Sequence, residues 1–204
     1  MTEKNDHTPI TTKEKIFAEA VKMFSDIGYS EVSVRDIANS ARINISSLYF
    51  HYSSKESMLN LFYDYYMENW QKMAPNINEI LQTIETAPLN EIFEKLDFRF
   101  DPEIEETMNR IVKIAVRQMA ICPSSEKFIR ERFLEGCTNP LNTILEKLIE
   151  CGRIKPINVR AIVCLLSRFA ISAVMFQNTA LHMGLDDWRT SLELAFSLII
   201  PTGK

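Results

Sequence analysis

Residues 33–55 read SVRDIANSARINISSLYFHYSSK, and their spacing predicts two short helices joined by a tight turn, with a third helix starting at once. Ser33 is placed to cap the first helix, and Asp36 three residues on completes a capping box. Ile37 and Ala38 give that helix an apolar side, and Ser40 and Ala41 end it. Asn44 caps the second helix, which carries Leu48 inward and ends near Tyr52. Ser53 and Ser54 follow as a fresh pair of caps, and Glu56 at capping-box spacing from Ser53 opens a long helix.

Ile43, Leu48 and Tyr52 fall at spacings of five and four, so they share one buried face against Ile37. That leaves Asn44, Ile45, Ser46, Ser47, Tyr49, Phe50 and His51 on or near the open side. Helix, three-residue turn, helix is a DNA-reading arrangement, because its second helix fits the major groove of B-form DNA. Short polar side chains there reach base edges, and an outward Ile45 meets a thymine methyl. Tyr49, His51 and Lys55 are phosphate-type donors, joined by the amides that open the long helix at Ser54 to Glu56. The competing reading is a generic helical corner with a few surface polar groups.

The first sixty residues resemble the DNA-binding domain of the tetracycline-repressor (TetR) family of bacterial regulators. The resemblance is carried by Phe17-Ala18-Glu19-Ala20, Phe24, Gly28-Tyr29, Ser33-Val34-Arg35-Asp36-Ile37-Ala38 and Ala41. It continues through Leu48-Tyr49, His51-Tyr52, Ser54-Lys55-Glu56 and Leu59. It implies that Ser33 and Arg35 hold the DNA backbone, that Asn44, Ile45, Ser46 and Ser47 read bases, and that Tyr49, His51 and Lys55 contact phosphates. Three positions depart from the family pattern. Arg42 stands where the family usually has a turn glycine, so either Arg42 is left-handed or the turn is reshaped. Ser46 replaces a frequent glycine and Ile45 a frequent basic residue, which puts the operator sequence outside what the resemblance implies.

The rest of the composition agrees with a helical regulator. The chain has 204 residues, 46% of them apolar and 25% charged, with five glycines and eight prolines, as in a soluble globular protein with short connections. Its net charge of −4 does not point to nucleic acid, but Arg35, Arg42 and Lys55 against Asp36 make the 33–55 stretch +2. A modest basic patch on an acidic protein suits a specific regulator. The first residues lack the apolar run of a signal peptide. The longest apolar stretch, 161–183, contains Arg168, Gln177, Asn178 and His182, so it reads as a buried or interface helix and not a membrane span. A cytoplasmic location with no membrane partner is the expectation. Cys122, Cys137, Cys151 and Cys164 form no C-x-x-C pair and have no histidine cluster beside them, which argues against zinc or any other metal. They read as small buried hydrophobes in a reducing compartment, the sharper alternative being a thiol switch. His7, His51 and His182 lie far apart, and no nucleophile, phosphate-loop or dinucleotide motif is present. The expectation is a protein without catalytic residues or cofactor.

The predicted fold is all-α, with nine or ten helices in two domains: a helix-turn-helix domain over 1–53 and a larger helical domain over 54–204. The first helix opens at Thr11 with Glu14 and stops at Gly28. The fourth runs from about Ser54 to Met73, a lever from the reading head into the second domain. Further helices are expected over 76–86, 90–100 and from Asp101-Pro102 to Cys122. One then starts at Ser124 or Ser125 and ends at Cys151-Gly152, with Pro140 as a kink or break. The last two span 158–183 and from Asp186 or Asp187 to Pro201.

In the resembling family the last two helices form a four-helix dimer interface. Here they offer Ala161, Leu165, Phe169, Ser172, Ala173 and Phe176, then Trp188, Leu192, Ala195, Phe196 and Ile199. A homodimer on a palindromic double-stranded operator is the implied state. The family also implies a small-molecule effector site in the second domain, of unknown ligand. Its candidate lining is Phe62, Tyr66, Met108, Met119, Phe133, Met175 and Phe176, with Phe93 and Ile111 beside them, although such sets are also ordinary core. Arg168, within IVCLLSRFAI (162–171), either pairs with a carboxylate or meets the anionic end of that ligand. The reading is a DNA-binding regulator, a repressor released by its effector. The alternative is an architectural or protein-controlled DNA binder without a small ligand, for which a dry, filled second domain would speak.

Overall fold

The computed structural model describes residues 11–95 and 101–176. Among the described residues all regular structure is helical. The chain packs as two units, 1–66 and 67–204.

The first unit holds α1 (Thr12–Asp26), α2 (Val34–Ser40), α3 (Ile45–His51) and the first part of α4 (Lys55–Met73). Helix α1 begins with a complete capping box between Thr11 and Glu14, and Gly28 follows its end with φ +123°. Its stripe of Ile16, Ala20, Val21 and Phe24 is buried. Ile37 and Ala38 of α2, Leu48 of α3, and Met58, Leu59, Phe62 and Tyr63 of α4 are buried in the same unit, the Phe62 ring beside Phe17 and Phe24 of α1. Helices of seven residues do not hold themselves in water. Here each is fixed by a cap at its start and an inward apolar residue, with burial of a Leu or Phe stabilising by about 2 kcal/mol.

The second unit holds the remainder of α4, then α5 (Ile77–Thr83), α6 (Leu89–Glu94), α7 (Pro102–Gln118) and α8 (Pro123–Lys127). A π-helical segment (Phe128–Leu134) leads directly into α9 (Glu135–Glu150), and α10 (Val159–Phe176) closes the described part. Ile80, Ile84 and Ile92 pack with Ile144, Leu145, Leu148, Ile154, Val159 and Val163 in one core. Helix α7 turns Met108, Ile111, Val112 and Ala115 inward at helical spacing. Arg153 stitches this core together: one guanidinium nitrogen donates to the carbonyls of Ile84 at 2.7 Å and Ala87 at 2.6 Å. Those carbonyls lie where α5 has ended and has no helical donor left to offer them.

Several expected boundaries shift. Helix α5 is shorter than 76–86 because the chain turns back at Thr83, whose carbonyl accepts from Thr86 and Ala87. Helix α7 stops at Gln118, short of Cys122. The next helix starts at Pro123, which needs no amide partner in the first turn, and not at Ser124 or Ser125. Pro140 does not break α9, which runs through it from Glu135 to Glu150; only the bond to the carbonyl of Gly136 is forgone. Helix α10 is described to Phe176, so its expected course to 183, the final helix and residues 96–100 lie outside the described residues. Cys122 and Cys151 are half-buried and Cys164 is exposed, which corrects the expectation of buried thiols for these three.

Candidate nucleic-acid interface

The geometry of the first unit starts from caps. At the start of α2 the Ser33 hydroxyl donates to the Asp36 carboxylate at 2.6 Å, the Ser33 amide donates to it at 2.8 Å, and the Asp36 amide returns a bond to the Ser33 oxygen at 3.2 Å. The two bonds from Ser33, the hydroxyl's first, hold the Asp36 carboxyl below its ordinary range. At the other end of α2 the amide of Ile43 donates to the Ala38 carbonyl at 3.0 Å and that of Arg42 to the Asn39 carbonyl at 3.1 Å. This is a Schellman turn with Arg42 in its left-handed position, φ +56°. Of the two alternatives for the missing glycine, the left-handed arginine is the one found. The Ser40 hydroxyl, donating to Glu19 of α1, ties the end of α2 down.

Asn44 caps α3, its side-chain oxygen accepting from the Ser47 amide at 2.7 Å. Counting about 100° per residue around α3, Ile45 and His51 lie about 60° from the inward Leu48, and both are half-buried. Tyr49 and Ser47 lie about 100° away, and Ser46 and Phe50 about 160°, directly opposite the core. Tyr49 is 51% and Phe50 85% exposed. The phenol of Tyr52 is buried and donates to the Lys13 carbonyl at 3.1 Å; burial pushes its ionisation up to about 12.

The start of α4 differs by one residue from the Ser53–Glu56 box. Ser54 is the cap: its hydroxyl accepts from the Ser57 amide at 3.0 Å, and Ser57 accepts from the Ser54 amide at 3.1 Å. Two adjacent serines compete for one cap, and burial of Met58, Leu59 and Phe62 sets the register that Ser54 satisfies. Lys55, a predicted phosphate donor, turns inward. Its ammonium donates to the Tyr29 carbonyl and lies 4.3 Å from the Tyr29 ring centre and 5.5 Å from that of Phe24. Burial lowers its ionisation, partly offset by Glu31. The lysine thus pins the turn after α1 to the start of α4 and keeps two N–H bonds to give.

The predicted DNA residues therefore come together on α2, the turn, α3 and the start of α4. Ser33, Arg35, Asn44, Ser46 and Tyr49 are exposed; Ile45, Ser47, His51 and Lys55 are half-buried. Phe50, on the open side by its sequence position, also stands opposite the core. The angle from Leu48 was the signal that singled it out.

The candidate effector residues are divided between the two units. Phe62 belongs to the core of the first unit, its ring 5.1 Å from Phe17 and 6.0 Å from Phe24, and Tyr66 ends that unit. In the second unit Met108 and Ile111 are buried, Met175 is half-buried, and Met119 and Arg168 are exposed. A guanidinium nitrogen of Arg168 lies 3.4 Å from the Ser167 hydroxyl. The side chains of Phe93, Phe133 and Phe176 lie outside the described ones. A depression of about 140 Å³ lies at Pro75, Asn76, Glu79, Ile80 and Lys95. A second, open and polar, lies at Glu85, Lys147, Glu150, Cys151 and Arg153. Neither contains a predicted lining residue. Among the described residues no group of three or more His, Cys, Asp or Glu is placed to hold a metal ion, and no helix is long and apolar enough to cross a membrane.

Residues 16–61 match the family described as bacterial regulatory proteins, tetR family. The chain is 34% identical over 114 residues to the HTH-type transcriptional repressor KstR2 of Mycolicibacterium smegmatis, 54% of this chain and 50% of that protein. It is 35% identical over 65 residues to the biofilm operon icaADBC HTH-type negative transcriptional regulator IcaR of Staphylococcus epidermidis, 28% of this chain and 35% of that one. The matches thus span about half or less of the length of these curated relatives. The solved structure of the ketosteroid transcriptional regulator KstR2 of Mycobacterium tuberculosis shares the fold, with a TM-score of 0.64 over 94% of this chain and 96% of that chain at 20% identity.

Proposed function

We propose that this chain, which belongs to the TetR family of bacterial regulators, is a sequence-specific DNA-binding transcriptional regulator. The observation that carries the reading is the α2–turn–α3 geometry. A capped helix of seven residues presents Ser46, Tyr49 and Phe50 away from its buried Leu48, between the exposed cations Arg35 and Arg42 and the serine-capped start of α4. Such a face enters a major groove, with base edges met by its centre and phosphates by its rim. Ser33, Arg35, Tyr49, His51 and the remaining N–H groups of Lys55 are the rim, and Asn44, Ile45, Ser46 and Ser47 are the reading edge.

A homodimer would place two such helices on a palindromic operator in the cytoplasm. Repression is supported by the relatives named as a repressor and a negative regulator. Release would come from a small molecule in the second domain (54–204), acting along α4 by binding one spacing of the heads better than the other. The alternative, a DNA binder controlled by a protein partner, takes support from Phe62 being committed to the core of the first unit. The test is selection of bound duplexes from a random library by the purified protein at near-physiological salt. Two half-sites in a palindrome are the expected result. Salt-labile binding without a motif would favour an architectural role, and absence of binding would overturn the reading.

A further inference from the structure

We infer that Phe50 reads a thymine methyl group, a part for which the sequence had nominated Ile45; this rests on the DNA-binding reading above. The observations all concern α3. Ile45 lies about 60° from the buried Leu48 around the helix and is half-buried, so its side chain is partly committed to the protein. Asn44 has its side-chain oxygen in the cap to the Ser47 amide. Opposite the core stand Ser46 and Phe50, one helical turn apart on the same line.

Phe50 is 85% exposed, more than any other large apolar residue described, and its ring meets the neighbouring His51 edge-on with centres 5.2 Å apart. An aromatic ring held in water at the centre of a polar, locally basic face has one occupant of fitting chemistry at hand, the duplex on which that face would dock. In the major groove the apolar feature is the C5 methyl of thymine. The ring has neither donor nor acceptor, so it discriminates by apolar contact and releases no counterion of its own. Continuity with Ser46, Tyr49 and the cations Arg35 and Arg42 favours DNA over a protein partner for this patch.

The experiment uses duplexes selected from a random library by the wild-type protein, with each thymine of a half-site replaced in turn by 2′-deoxyuridine, which lacks only the methyl. Wild type, Phe50→Ala and Phe50→Leu are compared. One thymine is expected whose replacement weakens wild type about five- to tenfold and leaves Phe50→Ala unaffected, with Phe50→Leu in between. Thermal midpoints of the three proteins should coincide, because the ring supports no core. The inference is overturned if a motif emerges in which no thymine is methyl-dependent, if Phe50→Ala weakens specific and random duplexes alike, or if Phe50→Ala melts early. A wild-type protein that binds duplexes without selecting a motif would instead overturn the sequence-specific reading on which this inference rests, and one that binds no duplex would overturn DNA binding itself.

Discussion

The turn that ends α2 and the turn that ends α9 are closed by the same two hydrogen bonds, yet they treat arginine in opposite ways. After α9 the amide of Gly152 donates to Ile149 and that of Arg153 to Leu148, both at 2.9 Å. Gly152 holds the left-handed position at φ +66°, and Arg153 follows it with its guanidinium turned onto two carbonyls. After α2 the left-handed position belongs to Arg42 itself, which is exposed. A residue with a Cβ costs about 1 kcal/mol or more in that conformation, and glycine almost none. The second unit thus gives the strain to glycine and uses its arginine as an internal stitch. The first accepts strain and keeps a cation in solvent beside the helix proposed to read DNA. Stability decides one turn; the proposed ligand's charge decides the other.

The largest effect on this contrast is expected from Arg153→Met. It removes charged hydrogen bonds to two carbonyls that face the protein, each worth about 1.5–3 kcal/mol, so the second unit should lose about 3 kcal/mol in urea unfolding. Trp70 of α4 falls within that unit, and its fluorescence, read in a Trp188→Phe background, follows it. A loss under about 1 kcal/mol would mean that the stitch is ornamental.

Next comes Gly152→Ala. A Cβ there would touch nothing within 4 Å, so only the backbone conformation is charged, and about 1–2 kcal/mol should be lost on the same probe. If Gly152→Ala is neutral, Arg42 carries no strain either and the contrast between the turns collapses.

Arg42→Gly is the converse and somewhat smaller, because glycine also gains freedom in the unfolded chain. The first unit should gain about 0.5–1 kcal/mol, read by amide hydrogen exchange of α1 and α2, while DNA affinity falls. The slope of affinity against salt should shrink by about one counterion per subunit. A gain in stability with an unchanged slope would show the exposed cation to be idle.

What could be read in the sequence follows the same division between near and far. The caps at Thr11, Ser33, Asn44, Asn76 and Asp101 are hydrogen bonds across two or three residues, and spacing alone specifies them. Arg42 could be narrowed to two conformations and no further, because the choice depends on how α2 and α3 pack. Lys55 was legible only in part: its partner Tyr29 is 26 residues away, a contact that no local pattern gives, while the N–H groups left over still suit the phosphate role read from the sequence. The ring contacts of Phe62 were not legible for a similar reason, since its neighbours Phe17 and Phe24 sit on another helix. Phe50 was legible in principle, because it needs only the angle from Leu48.

The smallest effect concerns the other end of α2, where strain plays no part. The carboxyl of Asp36 is held below its ordinary 3.8 by the Ser33 hydroxyl and amide. Its native value therefore lies below that of the unfolded chain, which binds the proton first as the solution is acidified. The contribution of the capping box is complete above the ordinary value and is lost as the pH falls through the lowered one. Asp36→Asn still accepts from the Ser33 amide but does not titrate. Stability of the first unit between about pH 2 and 5 should then fall less steeply in Asp36→Asn than in wild type, read by exchange of the α2 amides. The acid limb followed by tryptophan fluorescence should be unchanged, since Asp36 lies in the other unit. Equal changes on both probes would show that the units unfold as one, and stabilities assigned to the two turns would then have to be measured on the whole chain.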